Sequence, residues 1–181
     1  MEIRKSTEAD KSEIEIVHIQ AFGEKEGPEI AKLVNDLFED ETASPLLSLV
    51  AVKNSKIAGH VLYTKASITQ TTASVSAQLL APLAVLPEAQ NQGIGTHLVR
   101  EGLSQLSGSG VALVFVLGHP EYYPRFGFRT AGSIGFEAPF PIAEENADAW
   151  MVVELKEGIT GKVNGKVQCA EALNQPQYWR E

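Results

Sequence analysis

The 181-residue chain is 44% hydrophobic and 21% charged, enough apolar material for one well-buried domain and little for two. Its 15 basic and 23 acidic residues give a net charge of −8, so the basic stripe expected of a general nucleic-acid binder is missing. No run of about 18 apolar residues is present to span a membrane, and Met1 to Lys5 lacks the apolar core of a signal peptide. A lone Cys169 cannot close an internal disulfide, which fits a cytoplasmic protein.

Ile3 and Lys5 suggest a short first strand. Thr7 followed by Asp10 resembles a capping box, and Ile14, Val17 and Ala21 recur at helical spacing until Phe22-Gly23 ends the helix. A second helix is expected from near Pro28, with Ile30, Leu33, Val34 and Leu37 as one apolar stripe. Ser44-Pro45 breaks that pattern. Strands follow at 46–53 and 57–68, joined by a turn at Asn54-Ser55, then a polar loop at 69–74 and a strand at 75–85.

The stretch 80–96 changes character sharply. An apolar strand stops at Pro87, turns through polar residues 88–92, and enters a helix at Gly93-Ile94-Gly95. Glycines at a strand-to-helix turn let backbone come close to a ligand, and the free N–H groups of a helix start favour an anion. The spacing is a cradle for a pyrophosphate. It is not a Walker loop, since no lysine follows Gly95, and a dinucleotide fingerprint would need a small residue at Leu98.

The helix continues through Leu98, Val99, Leu103 and Leu106 and stops at Ser107-Gly108-Ser109-Gly110. Val111 to Leu117 is almost wholly apolar, as in a strand buried on both faces and parallel to its predecessor. Pro120 and Gly127 would open and cap a short helix. Strands are expected at 128–130, 150–155 and 166–170, with an aperiodic loop over 131–148.

Gln90-Asn91-Gln92-Gly93-Ile94-Gly95 resembles the pyrophosphate loop of the GCN5-related N-acetyltransferases (GNAT), and Leu83-Ala84-Val85-Leu86-Pro87-Glu88 resembles the strand that precedes it there. Tyr122-Tyr123-Pro124-Arg125-Phe126-Gly127-Phe128 is similar to the family's segment after the fifth strand. The wording from Gly118 to Phe128, with the later W-M-V-V-E-L strand, looks like the YhbS-type branch, which often carries an acid where this chain has His119. The resemblance implies an α/β fold with a mixed, mostly antiparallel sheet, splayed between its fourth and fifth strands and flanked by helices. It implies a single N-acetyltransferase domain over 1–181, with core motifs at 46–130, a variable loop at 131–148 and C-terminal strands at 149–181.

It also implies the chemistry. Acetyl-CoA would lie in the gap as co-substrate, with no metal. Its pantetheine arm would pair with Leu83, Ala84 and Val85, the Val85 N–H polarising the thioester carbonyl. The pyrophosphate would rest on Gln90, Asn91, Gln92, Gly93, Ile94, Gly95 and Thr96, with Arg125 either at a phosphate or capping its own helix. Tyr123 matches the family's general acid for the departing thiolate. The acceptor would be a primary amine on a small molecule, a peptide or an RNA base, attacking directly in a ternary complex. The general base is not identifiable: Glu88, Glu121 and His60 can take a proton, but each reads first as structural or solvated. His18 and His97 sit in helical patterns and carry no functional reading. The rival from another class is a non-catalytic CoA-binding module, and both monomer and homodimer are open.

Overall fold

A computed structural model of the protein describes residues 1–69 and 74–180. The expected polar loop after the third strand therefore falls largely outside the described residues. Strands β1 (Glu2–Lys5), β2 (Leu47–Lys53), β3 (Lys56–Ile68), β4 (Ala77–Val85), β5 (Leu113–Leu117), β6 (Arg129–Thr130) and β8 (Trp150–Glu154) form one sheet in the order β1-β2-β3-β4-β5-β8-β6. Two further strands, β7 (Phe136–Glu137) and β9 (Gly165–Gln168), pair with each other, and β9 extends the far end of β3. Helix α2 (Ile94–Gly108) makes the crossover that lets β4 and β5 run parallel. Every other pair on the main sheet path is antiparallel, so the fold is the mixed α/β sheet expected.

The helices lie on opposite faces. A Cβ built on Gly59 of β3 would touch Ile94 and Leu98 of α2, while the next residue, His60, meets His18 and Phe38 of α1 (Lys11–Glu39). Successive strand residues point to opposite sides, so α1 and α2 sandwich the sheet centre. Its middle strands are accordingly buried on both faces: Leu49, Val50, Val61, Leu62, Leu113 and Val114 are all 0% exposed.

Helix α1 is two helical segments joined at Gly23, whose φ of 88° and ψ of 175° leave the helical region. The expected end at Phe22-Gly23 is therefore real, but the second segment resumes directly after Gly23 rather than near Pro28. Pro28 is the fifth residue of that segment, just past the four amides that have no intrahelical partner, so the segment opens with one bond fewer. Gly27 lets the two segments touch, since a Cβ there would lie 2.5 Å from the Ile19 carbonyl oxygen. Before α1, Arg4 clamps Asp10 through two bonds of 2.7 and 3.0 Å, and the Thr7 N–H donates to the same carboxylate. Arg4 and these donors hold the Asp10 carboxyl down to about 2.

The turn at Asn54-Ser55 has both residues at positive φ, as a tight two-residue hairpin requires. The predicted aperiodic stretch 131–148 contains β7 and two 3-10 turns, elements too short to leave a periodicity.

Two consequences are measurable. A Cβ at Gly102 of α2 would stand 2.2 Å from the buried Tyr63 ring, so Gly102→Ala should lose about 1–3 kcal/mol in urea denaturation with an unchanged m-value. Asp10→Asn should cost about 1–2 kcal/mol near neutral pH. Because the folded carboxyl is depressed from 3.8 to about 2, the wild-type advantage is complete above pH 4 and fades as pH falls towards 2.

Candidate active site

The pairing of β4 with β5 covers only Ala77 to Leu80 against Leu113 to Val116, although β4 runs on to Val85. The cause lies on the other edge of β4. Tyr63 pairs with Leu80 and Val61 with Leu83, so Ala81 and Pro82 together face Leu62. This β-bulge bends the strand where Pro82, which has no N–H to offer, sits. Beyond it β4 stays paired to β3 and parts from β5. The splay between the fourth and fifth strands is thus present.

Past the bulge, Leu86 donates its N–H to Ala58 of the neighbouring strand at 2.8 Å. Alternation along a strand then turns the backbone groups of Leu83 and Val85 towards the open side. The Val85 carbonyl there accepts from the Gln90 side chain at 3.1 Å. Ala84 is buried, and the same alternation turns its own N–H and carbonyl towards β3 opposite His60, away from the open side.

Residues 90–96 behave as a turn into α2. Asn91 and Gly93 have positive φ, and no side chain caps the helix. The Gln90 N–H closes the preceding turn on the Pro87 carbonyl at 3.4 Å, and the first intrahelical bond of α2 is His97 N–H to the Gly93 carbonyl, which leaves the start of α2 short of intrahelical partners. The exposed side chains of Gln90 and Gln92 are engaged elsewhere, Gln92 by Lys53 at 2.6 Å, and Ile94 is 2% exposed in the core. What this turn offers outward is therefore backbone rather than free side chains. Gly95 has a second reason to lack a Cβ, which would lie 3.1 Å from the Tyr122 hydroxyl.

Motifs 26 residues apart meet here. Tyr122 Oη and Thr96 Oγ1 are 3.3 Å apart, and the Arg125 guanidinium carbon lies over the Tyr122 ring, 4.3 Å from its centroid. Arg125 also donates Nε–H to the Tyr122 carbonyl at 2.8 Å, so it caps its own turn while standing beside the start of α2. The short helix expected from Pro120 is instead a 3-10 turn at Tyr123–Phe126, closed by Gly127 at a φ of 94°. Its shortness follows from Pro124, which removes a donor inside it.

Tyr123 lines the cleft opened by the splay, together with Leu80 to Leu83 of β4 and Val116 to His119 at the end of β5. The ring is 6% exposed and packs on Gly118, where a Cβ would come within 2.5 Å. The far wall is Phe22, Glu26, Glu29, Ile30 and Leu33 of α1, with Tyr178 and Arg180. Sequence reading missed these last residues, because nothing in their spacing marks a cleft.

The base candidates fall elsewhere. Glu88 is exposed with Lys56 3.9 Å away, and Glu121 is exposed in an outer groove beside His119. His60 is 0% exposed. Burial, helped by neighbouring His18, pushes its basicity well down. Cys169 lines a different groove with Ser44 and Lys65, and burial lifts its thiol to about 11. Among the described residues no cluster of three His, Cys, Asp or Glu could hold a metal, and no helix is long and apolar enough to cross a membrane.

Residues 2–131 match the acetyltransferase (GNAT) domain. The chain belongs to the GNAT family of N-acetyltransferases. It is 44% identical to the uncharacterized N-acetyltransferase YjhQ of Escherichia coli (strain K12) over 166 residues, covering 90% of this chain and 88% of that one. It is 34% identical to the uncharacterized N-acetyltransferase YhbS of the same organism over 146 residues, 80% of this chain and 83% of the relative. A crystal structure of Escherichia coli YhbS in complex with CoA superposes with a TM-score of 0.85 at 30% identity, over 96% and 92% of the two chains. A GNAT family acetyltransferase from Brucella melitensis in complex with acetyl-CoA gives 0.74 at 28% identity, over 95% and 97%.

The contact between Gly118 and Tyr123 gives a direct check on this site. Gly118→Ala should cost about 1–3 kcal/mol by overpacking and move the Tyr123 ring, which a crystal structure of the variant would show.

Proposed function

We propose that this GNAT protein transfers the acetyl group of acetyl-CoA to a primary amine by direct attack within a ternary complex. One observation carries the reading: Tyr123 and the unpaired part of β4 line the same cleft, and β4 runs on from it into the turn before the uncapped start of α2. The CoA-bound relatives supply the ligand class.

In this reading the pantetheine arm lies along Leu83, Ala84 and Val85 and pairs through the outward backbone groups of Leu83 and Val85. The Val85 N–H, turned to the open side, polarises the thioester carbonyl, while its carbonyl oxygen is held by Gln90. The turn 90–96 holds the pyrophosphate at the positive end of α2 through the amides of residues 91–96, the Gln90 N–H being turned to Pro87. Arg125, exposed and fixed over Tyr122, adds a cation for a phosphate oxygen. Tyr123 protonates the leaving thiolate. No covalent enzyme intermediate is called for, because Cys169 stands in another groove with a poorly ionised thiol. The acceptor is an amine on a small molecule, a peptide or an RNA base, entering along the α1 wall, and the reaction is placed in the cytoplasm.

Calorimetric titration with acetyl-CoA, CoA and ATP tests the binding half: micromolar affinity for both thioester and thiol is expected, with none for ATP. A folded protein that ignores acetyl-CoA would reduce the α2 start to an ordinary turn. Tyr123→Phe should lower kcat by about 10²–10⁴-fold while leaving acetyl-CoA affinity near wild type. Unchanged turnover would remove Tyr123 from the acid role.

A further inference from the structure

Acetylation of an ammonium sheds one proton per turnover, and the four histidines of the chain differ sharply in their fitness to take it. His18 and His60 are 0% exposed and bonded to each other at 2.8 Å inside the core. His97 stands on α2, its Nδ1 2.7 Å from the Gly93 carbonyl oxygen. Only His119 among them lines the cleft that holds Tyr123, and it also lines the outer groove with Glu121 and Arg125. Its ring is exposed and has no hydrogen-bond partner among the described residues. Both ring nitrogens are therefore open to a ligand or to water.

The backbone under this ring is fixed. The Gly118 N–H bonds to the Ala149 carbonyl at 2.9 Å, which pins the end of β5. The His119 carbonyl accepts the N–H groups of Tyr122 at 3.1 Å and Tyr123 at 3.3 Å, so a single turn carries both an imidazole and the phenol. Imidazole is the side-chain type that both takes and returns a proton near neutral pH. The other titratable groups of the cleft suit the opposite task. Glu26 and Glu29 on the α1 wall are carboxylates, whose charge favours an ammonium that keeps its proton. Burial, then Glu29, raises the Tyr178 phenol above its ordinary range, so that hydroxyl stays protonated. Arg180 is a cation with donors alone.

We propose that His119 is the general base of the acetyl transfer. This rests on the amine-transfer reading above. The acceptor enters as an ammonium, and His119 takes one N–H proton and passes it to water in the outer groove. That is the proton the reaction sheds. The freed lone pair on nitrogen forms a bond to the thioester carbonyl carbon, and the carbonyl π pair moves onto oxygen. The carbonyl then re-forms as the C–S bond breaks, and sulfur leaves with its electron pair and takes the Tyr123 phenol proton. The nitrogen gives a second proton to His119, which releases it to groove water while the Tyr123 phenol regains one from solvent. One ammonium and one thioester become one amide, one thiol and one proton.

Bromoacetyl-CoA tests the placement on the unaltered protein. It carries an alkylating CH₂Br where acetyl-CoA has its methyl, and an imidazole within reach displaces bromide, forming a C–N bond with loss of one proton. Peptide mass spectrometry should find the adduct on His119, and excess CoA should prevent it. Protected labelling of Glu26 or Glu29 with His119 unmodified, or no labelling by bound reagent, overturns the assignment. A reagent that does not bind removes the acetyl-CoA reading itself, and the assignment falls with it. For the role, His119→Gln is assayed at pH 7 with acetyl-CoA and either ethylamine or 2,2,2-trifluoroethylamine, matched in shape but respectively charged and neutral. Turnover should fall by about 10²–10⁴-fold with ethylamine, and by at least about tenfold less with the neutral amine. Equal losses mark His119 as merely structural, and a larger loss with ethylamine in Glu26→Gln or Glu29→Gln moves the base to the α1 wall. Wild-type protein that is labelled at His119 yet acetylates neither amine overturns the amine reading, and the base role with it.

Discussion

The organisation of this molecule depends on the separation of β4 from β5. Two adjacent parallel strands normally satisfy each other's backbone groups along their whole length, and an unpaired edge inside a protein is costly. Here the bulge at Ala81-Pro82 ends the shared ladder after Leu80, and β4 runs on beside an opening. That opening is a ready partner for a ligand with amides of its own. The same separation sets the positions of both motifs. One lies where β4 turns into α2, the other just after β5, and the crossover through α2 brings them to the same end of the sheet. Tyr122 closes the arrangement by reaching across to Thr96.

The second feature is how little of the site consists of freely exposed charge. The turn into α2 offers backbone, Tyr123 is almost fully covered, and Arg125 is held over the Tyr122 ring. Groups held this way need little reorganisation when a charge develops, which is where fixed dipoles gain over mobile side chains. Rigidity has a sterically legible basis: Gly118, at the end of β5, admits the Tyr123 ring of its own segment, and Gly95 of α2 admits the Tyr122 hydroxyl from the other motif.

The α1 wall is built differently. Its kink at Gly23 divides a segment that packs His18 into the core from one that offers Glu26, Glu29 and Ile30 to the cleft. The C-terminal residues Tyr178 and Arg180 complete this side. Trp179 between them is anchored by its indole N–H on the Leu173 carbonyl at 2.9 Å and by its ring against Trp150. This wall thus combines a kinked helix with residues 178–180, whereas the opposite wall rests on the sheet itself.

Much of this was legible in the residues alone. Apolar alternation and length located β2, β3, β4, β5 and β8, and the glycines at 93, 95 and 127 fell where backbone conformation and close approach demand them. The turn into α2 and the Tyr122-Tyr123 segment carried the family resemblance, because local backbone chemistry leaves a local signature. The start of the second α1 segment was misplaced to Pro28, since proline marks a permitted position and Gly23 alone marks the actual break. What only the tertiary structure decided are the long-range meetings. His18 and His60 are 42 residues apart, and neither looks unusual in its own helix or strand. Tyr178 and Arg180 enter the cleft through packing that no periodicity encodes. Residue type and spacing determine which backbone a segment adopts; which side chains then share a buried space depends on how the sheet, its bulge and the two helices close around them.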